Sequence, residues 1–231
     1  MIDENNILSK ARDGNLEVLK SDLVDQVKNS YGETPLHHLA RRGCVEVLNH
    51  KSVDQVKDNF GWTPLHLLAK SGGVECLSHP SVDQVKVDYG WTPLHKLAWY
   101  GSVEVLNHKS VDQVKNSYGE TPLHLLAKKG CKEILNHKSV DQVKDNDGDT
   151  PLHFLARSGS VEVLNHPSVD QVKNNKGWTP LHILAYKGCL KVSDIKSKYP
   201  WFKFGRKKKV TEEMVEEIIN TPQSVRFIVE D

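Results

Sequence analysis

Gly32-Glu33-Thr34-Pro35-Leu36-His37-His38-Leu39-Ala40-Arg41-Arg42-Gly43 is the stretch that decides the fold. Its centre, Thr-Pro-Leu-His, begins at residues 34, 63, 92, 121, 150 and 179, every step being 29 residues. A fixed period between 20 and 50 residues marks stacked structural units. Thr34 suits a helix N-cap, where its hydroxyl accepts an orphan backbone N–H. Pro35 falls at the first helical position, where its missing donor costs nothing. Leu36, Leu39 and Ala40 then share one face by i, i+3, i+4 spacing, and Gly43 allows the left-handed turn that ends a helix. Val45 and Leu48 predict an apolar stripe on a second short helix. Val53 and Val56 predict one more helical turn before the loop Asp58-Asn59-Phe60-Gly61. Helices below roughly 12–15 residues are marginal alone, so each unit must lean on its neighbours. Of 15 glycines, 13 fall in two columns of this register, and of 12 histidines only His38 lies outside two columns.

The pattern Gly-x-Thr-Pro-Leu-His-x-Leu-Ala-x-x-Gly followed by Val-Glu-Val-Leu, as in Gly32 to Leu48, resembles the ankyrin-repeat family over about residues 5–190. The family unit is 33 residues. Here four are missing after Glu-Val-Leu, about one helical turn. The resemblance implies an all-α, ankyrin-type helix-turn-helix solenoid with capped ends. We expect an N-terminal capping repeat at 1–33, in which Asn5-Asn6-Ile7-Leu8 replaces Thr-Pro-Leu-His. Six repeats follow at 34–189, then a helical C-terminal cap at 190–231. In that cap Thr211 would N-cap a helix with Met214, Val215, Ile218 and Ile219 on one face. The basic run Arg206-Lys207-Lys208-Lys209 reads as a solvated loop before it, with a targeting or polyanion role as the other reading. For His37, His66, His95, His124, His153 and His182 the resemblance implies a structural role, bonding backbone groups and tying one turn to the next.

Composition narrows the function classes. The 231 residues carry 31 Lys plus Arg and 30 Asp plus Glu, net +1. That balance argues against a strongly basic nucleic-acid binder. No apolar run approaches the ~18 residues of a membrane span. The polar start Met1-Ile2-Asp3-Glu4 lacks a secretory signal, so a cytoplasmic address is expected. Packed helices lie about 8–10 Å apart, too far for column-mates such as His37 and His66 to share a zinc ion. The second column, His50, His79, His108, His137 and His166, falls at the end of the second helix, where a cation would meet the negative end of the helix dipole, and it reads first as structural. Cys44, Cys131 and Cys189 share a column several repeats apart and cannot be bridged. Cys76 reads as a small core residue. There is no phosphate loop, nucleophile elbow or Cys-x-x-Cys, and carboxylates copied in every unit are not a unique acid–base pair. We expect no enzyme activity, no metal and no cofactor, and a monomer.

Positions that differ between repeats are those that the framework does not fix. One column runs within the first helix: His38, Leu67, Lys96, Leu125, Phe154, Ile183. A second ends that helix: Arg41-Arg42, Lys70-Ser71, Trp99-Tyr100, Lys128-Lys129, Arg157-Ser158, Tyr186-Lys187. A third lies at the loop tip: Tyr31/Glu33, Phe60/Trp62, Tyr89/Trp91, Tyr118/Glu120, Asp147/Asp149, Lys176/Trp178. In ankyrin proteins the first helices and loop tips form the concave, partner-gripping face. The resemblance thus implies a protein-binding surface that includes Arg41, Arg42, Phe60, Trp62, Tyr89, Trp91, Lys96, Trp99, Tyr100, Tyr118, Lys128, Lys129, Phe154, Trp178 and Tyr186. Trp, Tyr and Arg are the residue types that dominate interface hot spots. The partner would be a protein, with an acidic one favoured by the basic helix ends. Three other readings stand beside this one. The same basic, aromatic groove could bind a polyanion or single-stranded nucleic acid, although the tips Glu33, Glu120, Asp147 and Asp149 oppose that. The chain could be a scaffold, or an engineered repeat protein, without a dedicated partner. The tryptophans could serve only to cement the stack.

Overall fold

The computed structural model describes residues 2–199 and 210–220. Arg206–Lys209 lie outside the described residues, as does the chain beyond Asn220. The described residues contain helices and turns and no strand. The α-helices are α1 (Ile7–Arg12), α2 (Pro35–Arg41), α3 (Pro64–Lys70), α4 (Pro93–Trp99), α5 (Pro122–Lys128), α6 (Pro151–Arg157), α7 (Pro180–Tyr186), α8 (Val192–Lys198) and α9 (Glu212–Asn220). Two compact units divide the chain, Met1–Leu125 and Leu126–Asp231. In the first, α1 packs on α2, α2 on α3 and α3 on α4; in the second, α6 packs on α7 and α7 on α9. Each unit therefore stacks its repeats in chain order, as an all-α solenoid does.

Each complete repeat begins the same way. In α3, Thr63 accepts from the His66 N–H, Pro64 occupies the first turn, and Leu65, Leu68 and Ala69 are buried. The histidine occupies the place that Glu or Gln takes in the usual capping box. Thr63 Oγ1 lies 2.8 Å from His66 Nδ1, and the Thr63 N–H also points at that nitrogen (3.4 Å). Since Nδ1 accepts, Nε2 carries the proton. It donates to the backbone carbonyl of the following repeat: Trp62 for His37 (3.0 Å), Trp91 for His66 (3.3 Å), Glu120 for His95 (3.1 Å) and Trp178 for His153 (2.9 Å). One neutral imidazole thus caps its own helix and ties it to the next unit. At the last repeat His182 Nε2 meets the Glu216 carboxylate of α9 instead (2.9 Å). There Met214, Val215 and Ile218 are buried.

The second helix differs from the expectation. Val45–Asn49 and its counterparts are five-residue 3-10 helices. With three residues per turn, eclipsed positions face the same way. The side chain sent inward is Val47, while Val45 and Leu48 are only half-buried. Losing about one turn leaves too few residues for an α-helix. The Val53 segment is a run of turns, becoming a 3-10 helix at Pro167–Asp170, where proline stands in its first turn. Val53 is buried and Val56 half-buried.

A second ladder joins the repeats through these turns. Ser52 donates to Asp25, Ser81 to Asp54, Ser110 to Asp83 and Ser168 to Asp141, each at 2.5 Å. Asp170 is met instead by the Tyr199 hydroxyl (2.9 Å). Burial pushes the Asp83 carboxyl up, but the Ser110 and Gln84 hydrogen bonds outweigh it and hold the group below its ordinary value. The second histidine column makes a local hydrogen bond. His50 Nδ1 accepts the Ser52 N–H at 3.2 Å, and so do its counterparts at His79, His108, His137 and His166 toward their own serines. Burial also lowers the His108 and His166 pKa values. The four cysteines are free thiols; burial pushes the Cys76 thiol up to about 12.

Candidate functional site

The loop tips are built by one local device. Asn29 Oδ1 accepts the N–H groups of Tyr31 and Glu33, both at 2.9 Å. Asp58, Asn116, Asp145 and Asn174 repeat this. Such Asx turns hold a tight loop without a regular element. Tip glycines complete it. Gly148 has φ 76°, and a Cβ there would lie 2.3 Å from Asn175 Oδ1. Neighbouring tips are stitched by backbone bonds, Asn59 N–H to Tyr31 C=O (3.0 Å) and Ser117 N–H to Tyr89 C=O (2.8 Å).

The third repeat breaks the rule. Val87 stands where the others carry Asn or Asp and offers no acceptor. Its loop tightens into a 3-10 turn, Asp88–Gly90, with Tyr89 at φ 58°. Tyr89 is the sole described non-glycine residue with positive φ, a conformation that disfavours a side chain. Val87→Asn should restore both hydrogen bonds and return Tyr89 to a right-handed or extended backbone. We expect a gain of about 1 kcal/mol in denaturant unfolding. An unchanged midpoint would mean that the strain is absorbed elsewhere.

The tip side chains of the first unit form an aromatic row. Tyr31, Phe60, Tyr89 and Tyr118 are 62%, 61%, 65% and 52% exposed. Tyr89 and Tyr118 stack, centroids 5.9 Å apart and planes 19° apart. The second unit carries Asp147 and Lys176 in the same column.

Two residues on, the column reads Glu33, Trp62, Trp91, Glu120, Asp149, Trp178, and its partner lies eight residues later at the helix end. Glu33 pairs with Arg41 and Asp149 with Arg157 (2.7 Å). Trp91 meets Trp99 edge-on at 5.7 Å, and Trp178 meets Tyr186 at 5.3 Å. Lys70 Nζ lies 5.5 Å from the Trp62 ring. Acid pairs with base and indole with cation or ring. This pairing was not read from the sequence, although its eight-residue spacing stands in every repeat.

Several expectations change here. Glu33, Glu120 and Asp149 are buried, so of the four acidic tips only Asp147 is exposed. Burial pushes the Glu33 carboxyl up, but hydrogen bonds from Asn29 and Arg41 hold it low. The column within the first helix is packed rather than free: Leu67, Leu125 and Ile183 are buried, and Phe154, named as a partner anchor, is 6% exposed. It forms a floor beneath Lys128 and Arg157, whose cationic heads lie 5.8 and 5.4 Å from its ring. His38 is also buried, with no hydrogen-bond partner for Nε2, which lies 3.7 Å from the Glu33 carboxylate. Trp62, Trp91, Trp99 and Trp178 are half-buried. Trp62, Trp91 and Trp178 lie on the framework histidines of their own repeats, at 6.0, 5.9 and 6.3 Å. These three rings therefore pack against the framework of their own repeats. Arg41, Arg42, Tyr100, Lys128, Lys129 and Tyr186 are exposed helix ends.

The exception in the packed column is Lys96. Its ammonium lies 4.4 Å from the centroids of both Trp62 and Trp91, a cation held between two indoles. Burial, helped by the charge of Lys70, lowers its pKa to about 8. Cation–π attraction to two desolvated rings offsets part of that penalty. Among the described residues no cluster of His, Cys, Asp or Glu could hold a metal ion, and no helix is long and apolar enough to cross a membrane.

No curated protein matches the chain. A family model described as "Ankyrin repeats (3 copies)" matches residues 7–79, 105–166 and 131–195. Six copies of one Thr-Pro-Leu-His helix start, four of whose histidines bond a backbone carbonyl of the following repeat, agree with this match over most of the sequence. The protein belongs to the ankyrin-repeat family, whose repeats are generally protein–protein interaction modules.

Proposed function

We propose that the protein is a non-enzymatic recognition module whose first unit binds a protein partner through its loop tips and helix ends. The observation that carries this reading is the exposed row Tyr31, Phe60, Tyr89 and Tyr118. Four consecutive loops each present a large ring to solvent, and in three of them, at Tyr31, Phe60 and Tyr118, Asx hydrogen bonds already hold the loop without help from the ring. Exposed aromatic surface of this extent marks a contact site, and rigid tips lose little entropy on binding. The Trp62–Lys96–Trp91 cluster lies beside the row, and the basic ends Arg41, Arg42 and Lys70 favour an acidic partner and speed encounter.

The test is Phe60→Ser with Tyr89→Ser. At exposed positions each change should move stability by no more than about 0.5 kcal/mol. Immobilised wild-type protein should retain a discrete protein from source-cell lysate at high salt, and the double variant should lose it at least about tenfold. Equal retention by both would end this reading. Retention that collapses steeply with salt and is competed by single-stranded nucleic acid would support the polyanion reading instead.

A further inference from the structure

Two pockets, one in each unit, are the same construction. The first, about 440 Å³, is lined by eight residues between Tyr31 and Lys70. Moving each of the eight forward by four 29-residue periods lands on a residue lining the second, of about 590 Å³, in the other unit. Glu33 becomes Asp149, Arg41 becomes Arg157, Trp62 becomes Trp178 and Leu67 becomes Ile183. The tip column steps from acid to tryptophan at two places in the chain, Glu33 to Trp62 and Asp149 to Trp178, and a pocket stands at each. A Trp repeat raises an indole wall. The acid repeat before it draws its Arg onto the buried carboxylate, leaving a gap between the two.

The chemistry of that gap has a sign. In each ion pair the carboxylate is the hidden member and the guanidinium the open one. Side-chain exposure is 10% for Glu33 against 52% for Arg41, and 4% for Asp149 against 49% for Arg157. A guanidinium has five N–H donors, and one from each goes to its carboxylate. Each guanidinium lines its pocket together with an indole and an aliphatic side chain, Trp62 and Leu67 in the first and Trp178 and Ile183 in the second. Lys70 adds a second cation to the first pocket, whose lining also holds Asp58; Lys176 and Lys187 add theirs to the second, beside Asp147, so that cations outnumber carboxylates there.

We propose that each pocket takes an acidic side chain of a bound polypeptide, its carboxylate on Arg41 or Arg157 and its methylenes against Trp62 or Trp178. This rests on the protein-partner reading and extends it to the second unit. The buried carboxylates at each site tolerate one paired acid better than a chain of phosphates, which favours a peptide over nucleic acid.

The test uses the full chain labelled with 15N, following the Trp62 and Trp178 indole N–H resonances. The probe is the capped peptide Ac-Gly-Glu-Leu-Gly-NH2 at millimolar concentration, with its Gln analogue and tripolyphosphate as the other arms. The Glu peptide should shift both indoles and the Gln analogue neither. Arg41→Gln should abolish the Trp62 response alone, and Arg157→Gln the Trp178 response alone, each weakening apparent affinity at least about tenfold. Arg41→Lys, which keeps a charged partner for Glu33, should leave the spectrum folded and still weaken the Trp62 response. Equal shifts from the Glu and Gln peptides, no shift from either, or a response to tripolyphosphate alone would overturn the proposal. So would Glu-peptide shifts unchanged in the Arg variants. If lysate capture is lost in the Phe60/Tyr89 variant but survives in Arg41→Gln with Arg157→Gln, the protein-partner reading stands and the acidic-pocket proposal falls.

Discussion

Acidification from pH 7 to 4.5 is expected to remove several kcal/mol of stability, well before most carboxylates titrate. The cause is the framework histidine column. Burial lowers the pKa of His37 and His153, and brings His66 and His95 down to about 4. The backbone carbonyl at Nε2 pulls the other way but does not win. At Nδ1 the Thr N–H donates into the ring, so a second ring proton there would displace that bond. An unfolded histidine titrates near ~6.5. Below that pH the unfolded chain binds protons that the folded chain refuses, so stability rises with pH and falls as pH drops. The histidine contribution is complete above ~6.5 and is lost progressively toward about 4 for His66 and His95. At about 1.4 kcal/mol per pH unit, each of these two costs roughly 3 kcal/mol over the interval. Urea unfolding at pH 7, 5.5 and 4.5 checks this. A midpoint flat between 7 and 5 would mean that these rings are protonated in the fold or free of it.

His95→Ala should cost about 3–5 kcal/mol, whereas His108→Ala should cost less than about 1. The two differ in what they leave behind. Removing the fully buried His95 ring opens a cavity, takes from the Glu120 carbonyl one of its two donors (the Asn116 N–H remains) and leaves the buried Thr92 N–H without its acceptor. Orphaned buried groups carry their whole desolvation penalty. His108, itself only half-buried, accepts one N–H, from Ser110 at 3.2 Å, and water entering the vacated space can replace it. Denaturant midpoints of the two variants, measured together, give the contrast. Equal losses would mean that the first column does not hold the stack.

The residues differed in how openly the sequence declared their roles. Thr63-Pro64-Leu65-His66 was readable because capping, helix start and apolar face coincide in four positions and recur six times. The 3-10 form of Val45–Asn49 was not, because an i, i+3 pair such as Val45 and Leu48 fits either helix while backbone hydrogen bonds choose between them. The exposed tip ring of Phe60 was visible as a variable column. The buried state of Glu33 and Asp149 was not, since an acid in a loop reads as solvated until its partner eight residues on is counted with it. Phe154 failed as an anchor for a related reason: variation in a column shows freedom of identity, and a packed floor can vary too when its neighbours adjust. Lys96 between Trp62 and Trp91 needed coordinates, because the clamp joins two repeats.

Photo-cross-linking puts the recognition reading to its most direct test. p-Benzoylphenylalanine is placed at Phe60, on the exposed aromatic row, and in a second protein at Gln55, exposed in the turn before the loop. Irradiation in source-cell lysate should give one discrete adduct with another protein from position 60 and none from position 55. No adduct from position 60, or the same adduct from both positions, would contradict a partner seated on the loop tips.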